Sequence, residues 1–232
     1  MASVGTSIFR ETSTPTRPPR RSDRYTLKCD EPVELFESEG VGAVTTQQIS
    51  DRADVAAGTL FRYAASKSEL LLMVYNGKLS EALRDGQARA SVIENPIDAV
   101  IAMIDPLVER AVESPENSAI YQRELLFGSP NEKFRQEGLA LVDAFERDIA
   151  SRLLGADPRS GMTSDPEAAR VASSSIFSVV HLAIARMFTG AHAGHDTRHD
   201  LRNQIGQILC GLASPTGGAD SPGPRGEPSQ SV

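Results

Sequence analysis

Tryptophan is absent from this 232-residue chain, and eight Phe with four Tyr hold aromatics at 5%. Sheet faces are built from aromatic and β-branched residues in alternation. The scarcity of aromatics, with Ala and Leu recurring in long stretches without β-branched alternation, favours helices over sheet. Cysteine is scarce too: Cys29 and Cys210 lie far apart, with no companion at metal-ligand or redox spacing. That excludes a disulfide framework and fits a reducing cytoplasm, with both thiols read as small buried or half-buried residues. Long apolar runs are missing as well. The most apolar stretch, "IFSVVHLAIARMF" at 176–188, is interrupted by His181 and Arg186 and reads as too short to cross a bilayer, and the N-terminus lacks the apolar core of a signal peptide. Positive charge is in deficit, 24 Lys and Arg against 31 Asp and Glu for a net charge of -7. Phosphate affinity scales with the cations presented, so the chain does not coat nucleic acid indiscriminately. A local basic surface remains open, since Arg17, Arg20, Arg21, Arg24 and Lys28 face only Asp23.

What is present is 40% hydrophobic residues, ample for a buried core. Residues 1–22 are rich in Ser, Thr, Pro and Arg and read as a disordered basic arm, and residues 214–232 read as a disordered tail. Between them the pattern is helical throughout. Val33, Leu35 and Phe36 form a short helix stopped at Gly40 and Gly42, with Pro32 placed near its first turn. Thr45 caps a helix carrying Ile49 and Ala53, and Asp54 stands at a turn where Asp tolerates positive φ. A second short helix runs from about Ala57 to Tyr63, and Ser66 to Glu69 form a capping box that launches a longer one. Asn95-Pro96 opens a helix that Pro106 is expected to kink. Later helices stop at Gly128 and Gly155, one opens on Asp165-Pro166, and the last carries Leu201, Ile205, Ile208 and Leu212 on one stripe. The reading is all-α, with about nine helices.

Two short helices joined by a tight turn make a helix-turn-helix, here at about 45–64. The stretch "LFESEGVGAVTTQQISDRADVAAGTLFRYAASKSELL" resembles the DNA-binding domain of the tetracycline-repressor (TetR) family of bacterial transcription regulators. The match runs through Leu35-Phe36, Gly40, Thr45, Ile49, Ala53, Val55, Gly58-Thr59-Leu60-Phe61, Tyr63 and Lys67. The resemblance implies a three-helix DNA-binding domain at 23–82, a helical effector-binding and dimerisation domain at 83–213, and a homodimer through the last two helices. It places Thr45, Thr46 and Gln47 on a bracing helix, Ala57, Gly58, Thr59, Phe61, Arg62 and Tyr63 on the helix that enters the major groove, and Lys67 on the next first turn. Arg62 and Gln47 are the candidates for base readout, since Arg pairs bidentately with guanine and Gln with adenine. Thr45, Thr59, Tyr63 and Lys67 suit phosphate. The chain departs from the family at Pro32, Asp54, Ala56 and Ala64, where alanine, glycine, a capping Ser or Thr, and an aromatic are usual.

On the central helices, Met103, Tyr121, Phe127, Phe177, His181 and Met187 fall where the family lines its effector pocket. An apolar stripe at helical spacing is what any bundle core needs; Tyr121 and His181 rise above that by their polar tips. His192, His195 and His199, with Asp196 and Asp200, match no structural zinc spacing and read as a loop. No nucleophile and base pair, phosphate-cradling loop or cofactor motif stands out, so neither an enzyme nor a cofactor is expected. The expected function is a cytoplasmic, dimeric, ligand-responsive transcriptional regulator, most often a repressor in this family. It would bind a near-palindromic double-stranded operator and be modulated by a largely apolar small molecule. The alternatives are a ligand-binding or interaction protein on the same scaffold with weakened DNA binding, and a small helical enzyme using the His-rich loop.

Overall fold

The computed structural model describes residues 34–52, 54, 64–154, 163–190, 194 and 196–213. Among them are eight helices and no strand. They are α1 (34–39), α2 (Thr46–Arg52), α3 (Lys67–Ala90), α4 (Pro96–Glu113), α5 (Pro115–Phe127), α6 (Lys133–Leu154), α7 (Pro166–Thr189) and α8 (Thr197–Ala213). The ninth, expected at about Ala57 to Tyr63, lies outside the described residues, as do Cys29, Pro32, Gly155, His192, His195 and both terminal segments.

Local chemistry sets most helix ends. Gly40 takes φ +80° and its N–H bonds Phe36 O at 3.0 Å, closing α1 in a conformation that side chains resist. Thr45 and Gln48 cap α2 reciprocally: Gln48 Oε1 accepts from Thr45 N at 2.7 Å, and Thr45 Oγ1 accepts from Gln48 N at 3.2 Å. Ser66 Oγ accepts from Glu69 N at 3.0 Å, while the Glu69 carboxylate reaches back to Ala65 N at 2.6 Å. Asn95, Asp165 and Asp196 cap α4, α7 and α8 in the same manner. Helix α4 runs unbroken through Pro106, the position at which the sequence predicts a kink. Its buried apolar face holds the turn that the missing N–H weakens.

Burial sorts the apolar residues into two clusters. The smaller holds Phe36, Val44, Ile49, Leu70, Leu71 and Tyr75, with Tyr121, Leu125 and Phe134 packed onto it from α5 and α6. The larger holds Val100, Ile104, Phe145, Ile149, Leu153, Ile176, Ile205 and Leu209 from α4, α6, α7 and α8. Helix α3 runs along both, and Gly86 permits its closest approach to α4, since a Cβ there would stand 2.3 Å from Met103 O. Met103 therefore belongs to the interhelical core.

Helix α7 corrects one expectation. At 24 residues it is long and apolar enough to cross a membrane by length and composition, because Ala and Ser extend the helix well beyond the apolar run at 176–188. Its Ala169, Ala172, Ile176, Val180 and Ala183 are buried in the bundle, while Val171, Leu182 and Phe188 stay exposed. Cys210 corrects another, being exposed on α8: it neighbours Leu209, which takes the buried side of that turn.

Candidate functional site

The helix-turn-helix edge is built on α2. Ile49 drives into the smaller cluster, which turns Gln47 and Gln48 outward. Asp54, at φ +46°, is the only described residue besides glycine with positive φ, and its N–H bonds Asp51 O at 3.3 Å. The chain thus reverses just after α2, at the position where Asp can adopt the left-handed conformation. Thr45 is exposed and spends its hydroxyl on Gln48. Thr46 is half-buried, and Gln47 Nε2 donates to Asp51 Oδ1 at 2.7 Å. That leaves the Gln47 carbonyl and one amide hydrogen for another partner. Lys67 Nζ donates to Gly42 O at 3.3 Å, tying the first turn of α3 to the loop after α1. Ala57, Gly58, Thr59, Phe61, Arg62 and Tyr63 lie outside the described residues, as does Ala56. Ala64 is buried in the smaller cluster.

Helix α5 is clamped to this edge by a residue the sequence did not single out. Buried Asn117 donates from Nδ2 to Phe36 O at 2.7 Å and accepts from Val41 N at 3.0 Å on its Oδ1. Both ends of the loop that closes α1 are thereby pinned to one side chain. One turn on, Tyr121 Oη donates to Asn76 Oδ1 at 2.8 Å, and Asn76 Nδ2 donates to Phe134 O at 2.8 Å. Gly138 makes room for this network, since a Cβ would stand 2.6 Å from both Asn76 Oδ1 and Leu125 Cδ1. Burial raises the Tyr121 hydroxyl pKa far above its ordinary value. Asn117, Tyr121 and Leu125 share one face at i, i+4 and i+8, and a buried Asn in that row was the available signal.

Beside the network lies a partly open cavity of about 110 Å³, walled by α3, α4, α5, α6 and α7. Leu79, Leu83, Leu107, Val142, Phe145 and Phe177 give it an apolar lining. Its polar groups are few: Ser114, Ser118 and Gln122 along one row of α5, Tyr75, Tyr121, Lys78, Arg110 and His181. Phe177 and His181 rings lie 5.8 Å apart, and burial lowers the His181 pKa from its ordinary value, keeping the imidazole neutral near pH 7. Of the six residues singled out in the sequence for ligand contact, Tyr121, Phe177 and His181 line this cavity, while Met187 packs against the larger cluster. Met103 packs against α3 instead, and Phe127 is 81% exposed at the end of α5. Helical spacing marks a face without saying which neighbour covers it, and nothing covers α5 at Phe127. Among the described residues no group of His, Cys, Asp or Glu is placed to hold a metal ion, and His199 is exposed on the first turn of α8.

Residues 30–74 match the family described as bacterial regulatory proteins, tetR family. This N-terminal segment is similar in sequence to the tetR family. The matched segment ends within α3, so it contains the bracing helix and the turn at Asp54. No curated protein matches the chain. Among solved structures, a TetR transcriptional regulator from Rhodococcus sp. RHA1 is 21% identical with a TM-score of 0.62, covering 82% of this chain and 97% of its own. Thermus thermophilus FadR, a TetR-family transcriptional repressor in complex with lauroyl-CoA, is 20% identical with a TM-score of 0.65, covering 89% and 100%. The transcriptional regulator FadR from Bacillus subtilis, in complex with stearoyl-CoA, is 16% identical with a TM-score of 0.60, covering 81% and 99%. At these identities the likeness establishes the shared fold.

Proposed function

We propose that this regulator is a cytoplasmic homodimeric repressor that holds a near-palindromic operator and releases it when a largely apolar small molecule enters the cavity between α3 and α7. The observation that carries the reading is Asn117. It fastens the ends of the loop after α1 to α5, the same helix that presents Ser118, Tyr121 and Gln122 to the cavity. A ligand that shifts α5 therefore pulls on the frame of the helix-turn-helix. Its leverage is bounded by its differential affinity for the two arrangements. Structural neighbours captured with acyl-CoA ligands support a ligand site in this fold.

Dimerisation through α7 and α8 is supported by the apolar face that α7 leaves bare. Val171 and Leu182, eleven positions or about three turns apart on one side of α7, are each about half exposed. Two such protomers about a two-fold axis would present two reading heads one DNA turn apart. Within each head, Arg62 and Gln47 are assigned to bases, and Thr45, Thr46, Thr59, Tyr63 and Lys67 to the backbone, with Ala57, Gly58 and Phe61 at the groove surface.

The test is fluorescence anisotropy of the full chain on its own upstream DNA against a scrambled duplex, across a salt series. Specific binding with a steep salt slope is expected. Arg62→Ala should cost about 1–3 kcal/mol and relax preference at one base pair. Equal affinity for both duplexes at every salt concentration would defeat the regulatory reading.

A further inference from the structure

Most polar side chains of α2 are tied within the reading head. Gln48 Oε1 accepts from the Thr45 hydroxyl at 2.8 Å, and Gln48 Nε2 donates to Glu39 Oε2 at 3.3 Å. Arg52 pairs with Glu34 at 3.2 Å, and the Ser50 hydroxyl donates to Thr46 O at 2.9 Å. These bonds hold α2 to itself and to α1. Gln47 differs. Among the described residues its side chain has one bond, 2.7 Å from Nε2 to Asp51 Oδ1, and both residues are exposed.

Asp51 stands four positions beyond Gln47, so the two side chains share one face of α2. Its main chain is held as well, since Asp51 O accepts from Asp54 N at 3.3 Å in the turn where Asp54 takes φ +46°. A glutamine amide has two orientations of nearly equal shape, and turning it over exchanges the carbonyl oxygen with the NH2. Only one of them offers acceptor and donor in the order that adenine presents in the major groove, an N6 donor beside an N7 acceptor. An unrestrained glutamine samples both. A carboxylate only accepts, so it bonds the NH2 and refuses the carbonyl. Asp51 thereby turns the Gln47 carbonyl away from itself and leaves one amide hydrogen for a base.

Given the DNA-binding reading above, on which this rests, we infer that Asp51 is a positioning residue for base readout: it holds the Gln47 amide in one orientation and so sets the discrimination at one base pair of each half-site. A carboxylate beside DNA also repels phosphate, but that repulsion acts on every sequence alike. Positioning acts at a single base pair, and the two effects separate on that ground.

The experiment is selection from a pool of randomised duplexes by the full-length protein, with the bound DNA sequenced to give the preference at each position. Wild type, Gln47→Ala, Asp51→Asn and Asp51→Glu are compared. Gln47→Ala should flatten the preference at one base pair of each half-site. Asn at position 51 keeps the size of the side chain but donates as readily as it accepts, so it no longer selects an amide orientation. With Asp51→Asn the preference at that same base pair should fall roughly two- to tenfold, the bias that one hydrogen bond of ordinary net strength supplies, with other positions unchanged. Asp51→Glu keeps an accepting carboxylate and should restore most of it. The position is exposed, so neither change disturbs the core. An undiminished preference there in Asp51→Asn, an even loss across all positions, no restoration by Asp51→Glu, or a Gln47→Ala selection matching the wild type would overturn the inference. A motif enriched by the wild type leaves the regulatory reading standing in each of those cases. A wild type that enriches no motif defeats that reading, and the role of Asp51 with it.

Discussion

Around Phe36, Ile49 and Leu71 the chain gathers a small core whose margins are closed by side chains bonding backbone, whereas around Ile149, Ile176 and Ile205 it interlocks long helices mainly through apolar surface. Asn117, Lys67 and Glu69 each reach a main-chain atom of the first region. At the larger cluster one such bond runs from Arg152 of α6 to Ile93 O at its edge, and the ion pairs, such as Arg89 with Glu109 and Arg202 with Asp98, lie on the exposed rim. The difference follows from helix length. Six- and seven-residue helices, as α1 and α2 are, present too little apolar face to hold themselves in place, because helix nucleation is costly and short helices rely on tertiary contacts and caps. Helices of 17 to 24 residues, as α8 and α7 are, bury enough to need no such fastening. A region held by a few directional bonds can also be released by disturbing one of them, which suits the ligand response proposed above.

The largest effect should come from the apolar region. Ile205 is fully buried, and Ile205→Ala should lower global stability by about 2–5 kcal/mol through lost burial and a residual cavity; urea denaturation followed by helical circular dichroism measures it. A loss below half a kcal/mol would show that α8 is not part of the larger core.

Asn117→Ala tests the other region. It removes two buried hydrogen bonds and orphans Val41 N–H, while Phe36 O keeps its bond from Gly40 N–H, and should cost about 1–3 kcal/mol. Hydrogen exchange should show lost protection confined to residues near Val41, with α6 to α8 unaffected. Uniform loss of protection across the molecule would mean that the two regions are not separately fastened. Protection retained at Val41 would remove the clamp from the argument.

Ser66→Ala is the smallest of the three. Loss of the cap that accepts Glu69 N should cost about 1 kcal/mol. The expected signature is fraying at the first turn of α3 and faster exchange at Glu69, read against an unchanged amide of Ile205. A cost shared equally with the larger core would contradict the contrast.

Much of the helix-end chemistry was legible beforehand because its partners lie within four residues of each other. The Thr45 and Ser66 caps, the Asn95 and Asp165 caps, the turn at Asp54 and the Leu201–Ile205 stripe all depend on side chains meeting neighbouring backbone, and spacing states that directly. The cavity was legible only in part. Tyr121, Phe177 and His181 were marked by polar or aromatic character on apolar faces, and they do converge. Met103 and Phe127 carried the same mark and went elsewhere, since the register between helices decides which face meets which. Tyr75, Gln122, Lys78 and Arg110 gave no sign, because an ordinary helical residue becomes notable only when its surroundings leave it without a partner or supply one from a distant helix.

By itself, then, the sequence determined the helical class, most helix ends and the family of the N-terminal segment. These rest on local spacing, capping and composition, which a single strand of chain already contains. Tertiary structure decided that Asn117 joins the cavity helix to the loop after α1, that Gly138 yields space to Asn76, and that Tyr121 bonds Asn76. Those facts require residues dozens of positions apart to meet at hydrogen-bonding distance, and only packing brings them there.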